Sequence, residues 1–262
     1  MDQMKHFVLV HGACHGAWCW YKIKPLLEAA GHRVTMLDMG GAGVNRKAIQ
    51  EVESFEEYSE PLLKTMACLG PNEKVILVGH SFGGMSLALA MENFPHKISA
   101  SVFITAFVPD THHPPSYVLE QFLESLPREF WMDTEFGENR EDGGSSSWFL
   151  FGPKCMANKI YQFSPTEDQA LGSSLVRPAK LFIENLGKAE KFTEENYGSV
   201  KKVYVICGED RTISKQLQKW MIQNSGKGIQ NVMEIDEADH MAMFSKPLQV
   251  LQCLLQVAQS YT

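Results

Sequence analysis

The segment Val75-Ile-Leu-Val-Gly-His-Ser-Phe-Gly-Gly84 reads as a buried strand that runs into a helix through a serine flanked by glycines. Val75 to Val78 is a short, apolar, β-branched run, and helical residues follow directly from about Gly83 to Asn93. Between them stands G-x-S-x-G, in the strand–turn–helix context that a nucleophile elbow requires. So tight a turn holds its serine in a strained backbone conformation. The glycines two before and two after leave room where strand and helix cross. Ser81 is thus presented above the sheet, and the helix N-terminus beneath it favours developing negative charge.

On either side of the elbow the pattern alternates. His6 to Val10 reads as a strand, Trp20 to Ala30 as an amphipathic helix, His32 to Leu37 as a strand and Phe55 to Leu69 as a helix. Val102 to Phe107 reads as a fourth buried strand. The pattern then lapses from Pro109 to Gly198, where helical pieces, aromatics and a Gly/Ser stretch (Glu141 to Ser147) contain no convincing buried strand. It resumes with a strand at Val203 to Cys207, a helix at Lys215 to Gln223, a strand at Val232 to Ile235 and a closing helix from Leu248 to Tyr261. Alternating strands and helices imply a mostly parallel sheet with helices on both faces. Together with the elbow this is the α/β-hydrolase fold. The expected division is a core of residues 1–108 and 199–262, with residues 109–198 inserted as a mainly helical cap over the carboxyl ends of the strands.

A serine nucleophile needs a base, and the base needs a carboxylate to orient it. In this fold they follow the serine in the order acid, then histidine. Of the nine histidines only His240, in Ala238-Asp-His-Met241, follows the last strand. His11 reads as structural, and His80, next to the serine, is expected to face away from it. The acid should follow the preceding strand, where Cys207-Gly-Glu-Asp210 offers two carboxylates. Asp210 is the better placed, because the loop must turn before a carboxylate can face His240, and Glu209 is the fallback. Asp239 is expected to bond within its own loop. The oxyanion of an acyl-transfer intermediate needs two N–H donors. One should be Phe82, directly after the nucleophile; the other should come from His11-Gly12-Ala13, with Ala13 the choice. Such chemistry requires neither a metal nor an organic cofactor.

The formal net charge of −7 and the lack of a basic stripe disfavour a nucleic-acid partner. No apolar stretch approaches membrane-spanning length, and Phe7 to Val10 is too short for a secretory leader, so a cytoplasmic location is expected. The six cysteines are scattered, with no Cys-x-x-Cys pair and no zinc-like spacing, and read as reduced packing residues.

Five segments, His6-Phe-Val-Leu-Val-His-Gly12, Gly16-Ala-Trp-Cys-Trp20, Gly79-His-Ser-Phe-Gly-Gly84, Gly198-Ser-Val-Lys201 and Asp239-His-Met241, resemble the plant methylesterase and hydroxynitrile lyase family, nearly end to end. The resemblance implies Ser81, Asp210 and His240 as triad and Ala13 and Phe82 as oxyanion donors. It also implies a pocket lined by Gly12, Phe107, Phe122, Trp131, Phe149, Phe151, Leu181 and Met241. It implies hydrolysis of small methyl esters such as methyl salicylate, methyl jasmonate, methyl indole-acetate or an alkaloid carbomethoxy group, and a homodimer. An esterase whose acid product then loses CO₂ is the alternative. The lyase branch carries threonine at the position of Gly12 and lysine at that of Met241; methionine has no ammonium to stabilise a leaving cyanide, which disfavours cyanohydrin cleavage. A hormone receptor without activity is a third reading, against which the intact triad speaks.

Overall fold

A computed structural model describes residues 4–139, 146–225 and 228–261. Its six-stranded sheet is parallel throughout: β1 (His6–Val10), β2 (Arg33–Leu37), β3 (Val75–His80) and β4 (Ile98–Ile104), then, after the insertion, β7 (Lys202–Cys207) and β8 (Ile229–Ile235). The spatial order is β2-β1-β3-β4-β7-β8. Side chains alternate between faces along each strand. Val8, Val10, Leu77, Phe103 and Tyr204 therefore join one buried cluster, and Phe7, Leu9, Val78, Val102 and Val205 join the other. That two-sided burial explains why the strands read as continuous apolar runs.

Helices Ile23–Ala29, Phe55–Cys68, Gly83–Asn93, Lys215–Asn224 and Pro247–Ser260 cover the faces. The first is shorter than its sequence pattern predicts, because a separate helical turn, Ala17–Trp20, precedes it. Ser54 caps the second by accepting the Glu57 N–H, and Ser214 caps the helix at Lys215 by accepting the Leu217 N–H.

Three expectations about strands differ from what is observed, and one of them is β8, which begins at Ile229, three residues before the run Val232 to Ile235. β4 begins four residues earlier than the run Val102 to Phe107 suggests and stops at Ile104. The cause is Thr105, whose φ of +36° leaves the extended region and turns the chain out of the sheet. Within the insertion, Glu135–Asn139 (β5) and Ser146–Leu150 (β6) pair as an antiparallel hairpin, where no buried strand was expected. It is a separate ribbon with Phe136 exposed, so it lacks the apolar signature of a sheet interior. Most of the Gly/Ser stretch 141–147 lies outside the described residues. The helices of the insertion include Tyr117–Ser125, Thr166–Leu175 and Ile183–Lys188.

Candidate active site

The elbow follows the carboxyl end of β3. Ser81 has φ +53°, a conformation that costs a non-glycine residue about 1–3 kcal/mol and is held there by its surroundings. Its carbonyl accepts the N–H of Gly84 and of Phe107, and its own N–H reaches Ile104 O. The crossing is too close for side chains: a Cβ at Gly83 would sit 2.6 Å from His11 O, and one at Gly79 2.9 Å from Leu87 Cδ2.

The loops after β7 and β8 bring Asp210 and His240 together. Asp210 Oδ2 accepts the Nδ1–H of His240 at 2.7 Å and the Thr105 hydroxyl at 2.5 Å. Its Oδ1 accepts the N–H groups of Thr212 at 2.6 Å and Ile213 at 3.0 Å. Every lone-pair direction of this buried carboxylate is thus used, which fixes the imidazole's tautomer and leaves Nε2 as its free ring nitrogen. Ser81 and His240 line the same cavity, without a hydrogen bond between their side chains. Such contacts often tighten only when substrate is bound. Glu209 is exposed.

Ala13 and Phe82 flank Ser81 in the cavity wall. Among the described residues, neither backbone N–H is taken by a protein acceptor. The peptide before Ala13 is fixed by His11, whose Nδ1–H donates to Gly12 O at 2.8 Å while Nε2 accepts the Met39 N–H at 3.1 Å. In a trans peptide the C=O and the following N–H point in opposite directions. Tying the Gly12 carbonyl to His11 therefore aims the Ala13 N–H the other way. Burial drives the pKa of His11 down, so it stays neutral in this role.

The cavity is lined by Phe107, Phe122, Phe130, Trp131, Phe149, Phe151, Leu181 and Ile213, with Thr212, His15 and His80 beside the reacting groups. Among the described residues, no lysine, arginine, aspartate or glutamate lines it. Two sequence-predicted pocket residues are not in the wall. Met241 is fully buried in the apolar cluster on the far side of its loop, because its N–H is tied to Asp239 Oδ1 at 3.0 Å and its side chain turns inward. Gly12 sits behind Ser81, where a Cβ would lie 2.8 Å from Ser81 Cβ.

His80 packs against His240. Its Nε2–H donates to His240 O at 2.8 Å and its ring lies 4.6 Å from that of His240. Burial and the neighbouring His240 push its pKa well below the usual histidine range. Asp239 bonds not only in its own loop, to Met241 N and Ser245 Oγ, but also to Phe163 N and Ser164 Oγ of the insertion.

Sequence reasoning missed Thr105, His15, Phe130, Thr212 and Ile213. Thr212 and Ile213 stand two and three residues after Asp210 and could have been found by position; Thr105, inside the apolar run Val102 to Phe107, carried no signal.

Residues 5–247 match the family model of the alpha/beta hydrolase fold. Methylesterase 1 of Arabidopsis thaliana is 51% identical over 258 residues, covering 98% of this chain and 97% of that protein. The chain belongs to the plant methylesterase family. Within that family, salicylic acid-binding protein 2 of Nicotiana tabacum is 51% identical over 261 residues and the whole of both chains. The crystal structure of polyneuridine aldehyde esterase superimposes with a TM-score of 0.95 at 47% identity, covering 98% of this chain and all of that one. This methylesterase-family chain thus has full-length relatives, insertion included. Among its described residues no helix is long and apolar enough to cross a membrane.

Proposed function

We propose that the protein is a carboxylesterase that hydrolyses small, largely apolar methyl esters through an acyl-enzyme. Ser81 is the nucleophile, His240 the general base and then acid, and Asp210 its orienting partner. Ala13 and Phe82 supply the oxyanion donors, and residues 109–198 form a cap over the core of residues 1–108 and 199–262. His240 takes the Ser81 proton as the hydroxyl attacks the ester carbonyl. The oxyanion rests on the two N–H groups, each of the kind worth roughly 10²–10³ in rate. Protonated His240, held by Asp210, then protonates departing methanol, and water repeats the sequence on the acyl-enzyme.

The observation that carries this reading is the fully hydrogen-bonded Asp210–His240 pair opening, beside Ser81, into an apolar cavity. Those walls suit flat or terpenoid acyl groups such as salicylate, jasmonate, indole-acetate or an alkaloid skeleton. With no lysine or arginine among the described residues of the wall to hold a carboxylate, the neutral ester binds better than the free acid. The names of the relatives, a methylesterase and an aldehyde esterase among them, support the same chemistry. Gly12 and Met241, where the lyase branch carries threonine and lysine, speak against cyanohydrin cleavage, and among the described residues no lysine lines the cavity beside His240. A homodimer, implied by the family resemblance, and a cytoplasmic location complete the proposal.

Replacing Ser81 by Ala should abolish hydrolysis of p-nitrophenyl acetate and leave the circular dichroism spectrum unchanged; activity retained in pure variant protein would refute the assignment. A panel of methyl esters, read by product mass, separates simple hydrolysis from hydrolysis followed by loss of CO₂.

A further inference from the structure

One short stretch of the insertion touches all three loops that carry the proposed chemistry. It runs from Lys159, in the π-helical turn Met156–Ile160, to Ser164. Towards the loop after β1, Tyr161 is buried and its hydroxyl donates to His15 Nε2 at 2.7 Å; the Nδ1–H of the same ring donates to Ala13 O at 2.8 Å. A carbonyl can only accept, so Nδ1 must carry the proton and Nε2 must be the acceptor. The chain of bonds therefore runs in one direction, from the insertion to the peptide that leaves Ala13. Gly172 makes the approach feasible, because a Cβ there would lie 2.4 Å from the Tyr161 oxygen.

Towards the acid loop, the Thr212 hydroxyl donates to Lys159 O at 2.9 Å and Gln162 Nε2 donates to Glu209 O at 2.6 Å, on either side of Asp210. Towards the base loop, Asp239 Oδ2 accepts Phe163 N at 3.0 Å and Ser164 Oγ at 2.9 Å. The other oxygen, Oδ1, accepts Met241 N at 3.0 Å and Ser245 Oγ at 2.7 Å. The residue before His240 and the residue after it are thus fastened through one carboxylate to the insertion.

We propose that residues 159–164 are a brace that sets the three loops in register, with Tyr161 the positioning residue for the oxyanion loop and Asp239 that for the base loop. The proposal rests on the esterase reading. A brace of this kind makes the placement of the cap a condition of catalysis: if the segment lifts, the Ala13 peptide, the acid and the base lose their common support together.

The test uses the full chain and two mild variants. Tyr161→Phe keeps the ring and removes the hydroxyl. Ser164→Ala removes one of the two bonds from the insertion to Asp239 and keeps that from Phe163 N. Phosphonylation of Ser81 by a fluorophosphonate, followed by mass spectrometry, reads the nucleophile and oxyanion donors without choosing an ester. For Tyr161→Phe the expected result is a roughly tenfold slower phosphonylation and a similar fall in kcat, with KM for p-nitrophenyl acetate within about twofold. Ser164→Ala is expected to displace the acid limb of the kcat/KM profile, which reports the base, whereas Tyr161→Phe leaves that limb in place. Wild-type rates per folded molecule in both variants, with only the melting temperature lowered, would reduce the segment to a structural contact and overturn the proposal. Wild-type protein that is not phosphonylated at Ser81 would overturn the esterase reading, and the brace with it.

Discussion

Lowering the pH from 7 to 5 should cost the folded state about 2 kcal/mol through His15 alone. Burial is the main cause, helped by nearby His11 and His240, and together they drive the His15 pKa from 6.5 to about 3, against the opposing pull of the Ala13 carbonyl. The folded state thus refuses a proton that the unfolded chain accepts below pH 6.5. Stability from this source is complete above that pH and is lost as pH falls towards the folded value. At pH 5 the unfolded chain is almost fully protonated at this position and the folded protein almost not at all. His11 and His80, also buried with lowered pKa values, act in the same direction. Asp239, whose carboxyl burial raises, acts in the opposite one. A comparison of wild type with His15→Gln isolates one group, since glutamine is of similar length and does not titrate. Urea unfolding of both proteins at pH 7, 6 and 5 should show the wild type losing about 2 kcal/mol more than the variant over the range. Equal losses in the two proteins would mean that His15 takes up its proton in the folded state, and the buried neutral imidazole would have to be abandoned.

Lys202 is fully buried at the start of β7, with Nζ bonded to Tyr197 O at 2.9 Å and lying 4.1 Å from that ring, and burial lowers its pKa to about 8. The folded state therefore penalises its charge below that pH; relative to Lys202→Met, the wild type should gain up to about 3 kcal/mol as pH rises from 8 to 10.5, and the variant should melt higher at pH 7. A difference between the two that does not change with pH would count against this. Gly12→Ala places a Cβ 2.8 Å from Ser81 Cβ and 3.0 Å from His80 Nδ1, so loop and elbow must part. It should cost roughly 1–3 kcal/mol in urea unfolding and lower kcat at least tenfold; wild-type kcat in the variant would show that the loop yields freely.

Chain order and strand ends made much of the site legible. Ser81, Asp210 and His240 could be chosen because each follows a strand of the alternating pattern and because the elbow has a local chemistry of its own: a strained serine needs glycine where strand and helix cross. The same local logic predicted the parallel sheet, since a strand buried on both faces is an apolar run whatever its neighbours. Side-chain direction was not legible, because it is set by partners distant in sequence. Met241 was expected in the pocket and is buried instead in the cluster that holds Leu9, Val78 and Val205, and His80 faces His240 because a carbonyl 160 residues away accepts its Nε2–H. His15 and Tyr161 meet across 146 residues. The insertion was hardest to read for a further reason. Two of its bonds to the acid loop end on the backbone carbonyls of Lys159 and Glu209. A carbonyl is present at every position, so a site held by carbonyls leaves no mark in residue type. What the sequence displays is the chemistry that demands particular side chains; the support of that chemistry, built largely from peptide groups, becomes visible only when the chain is folded.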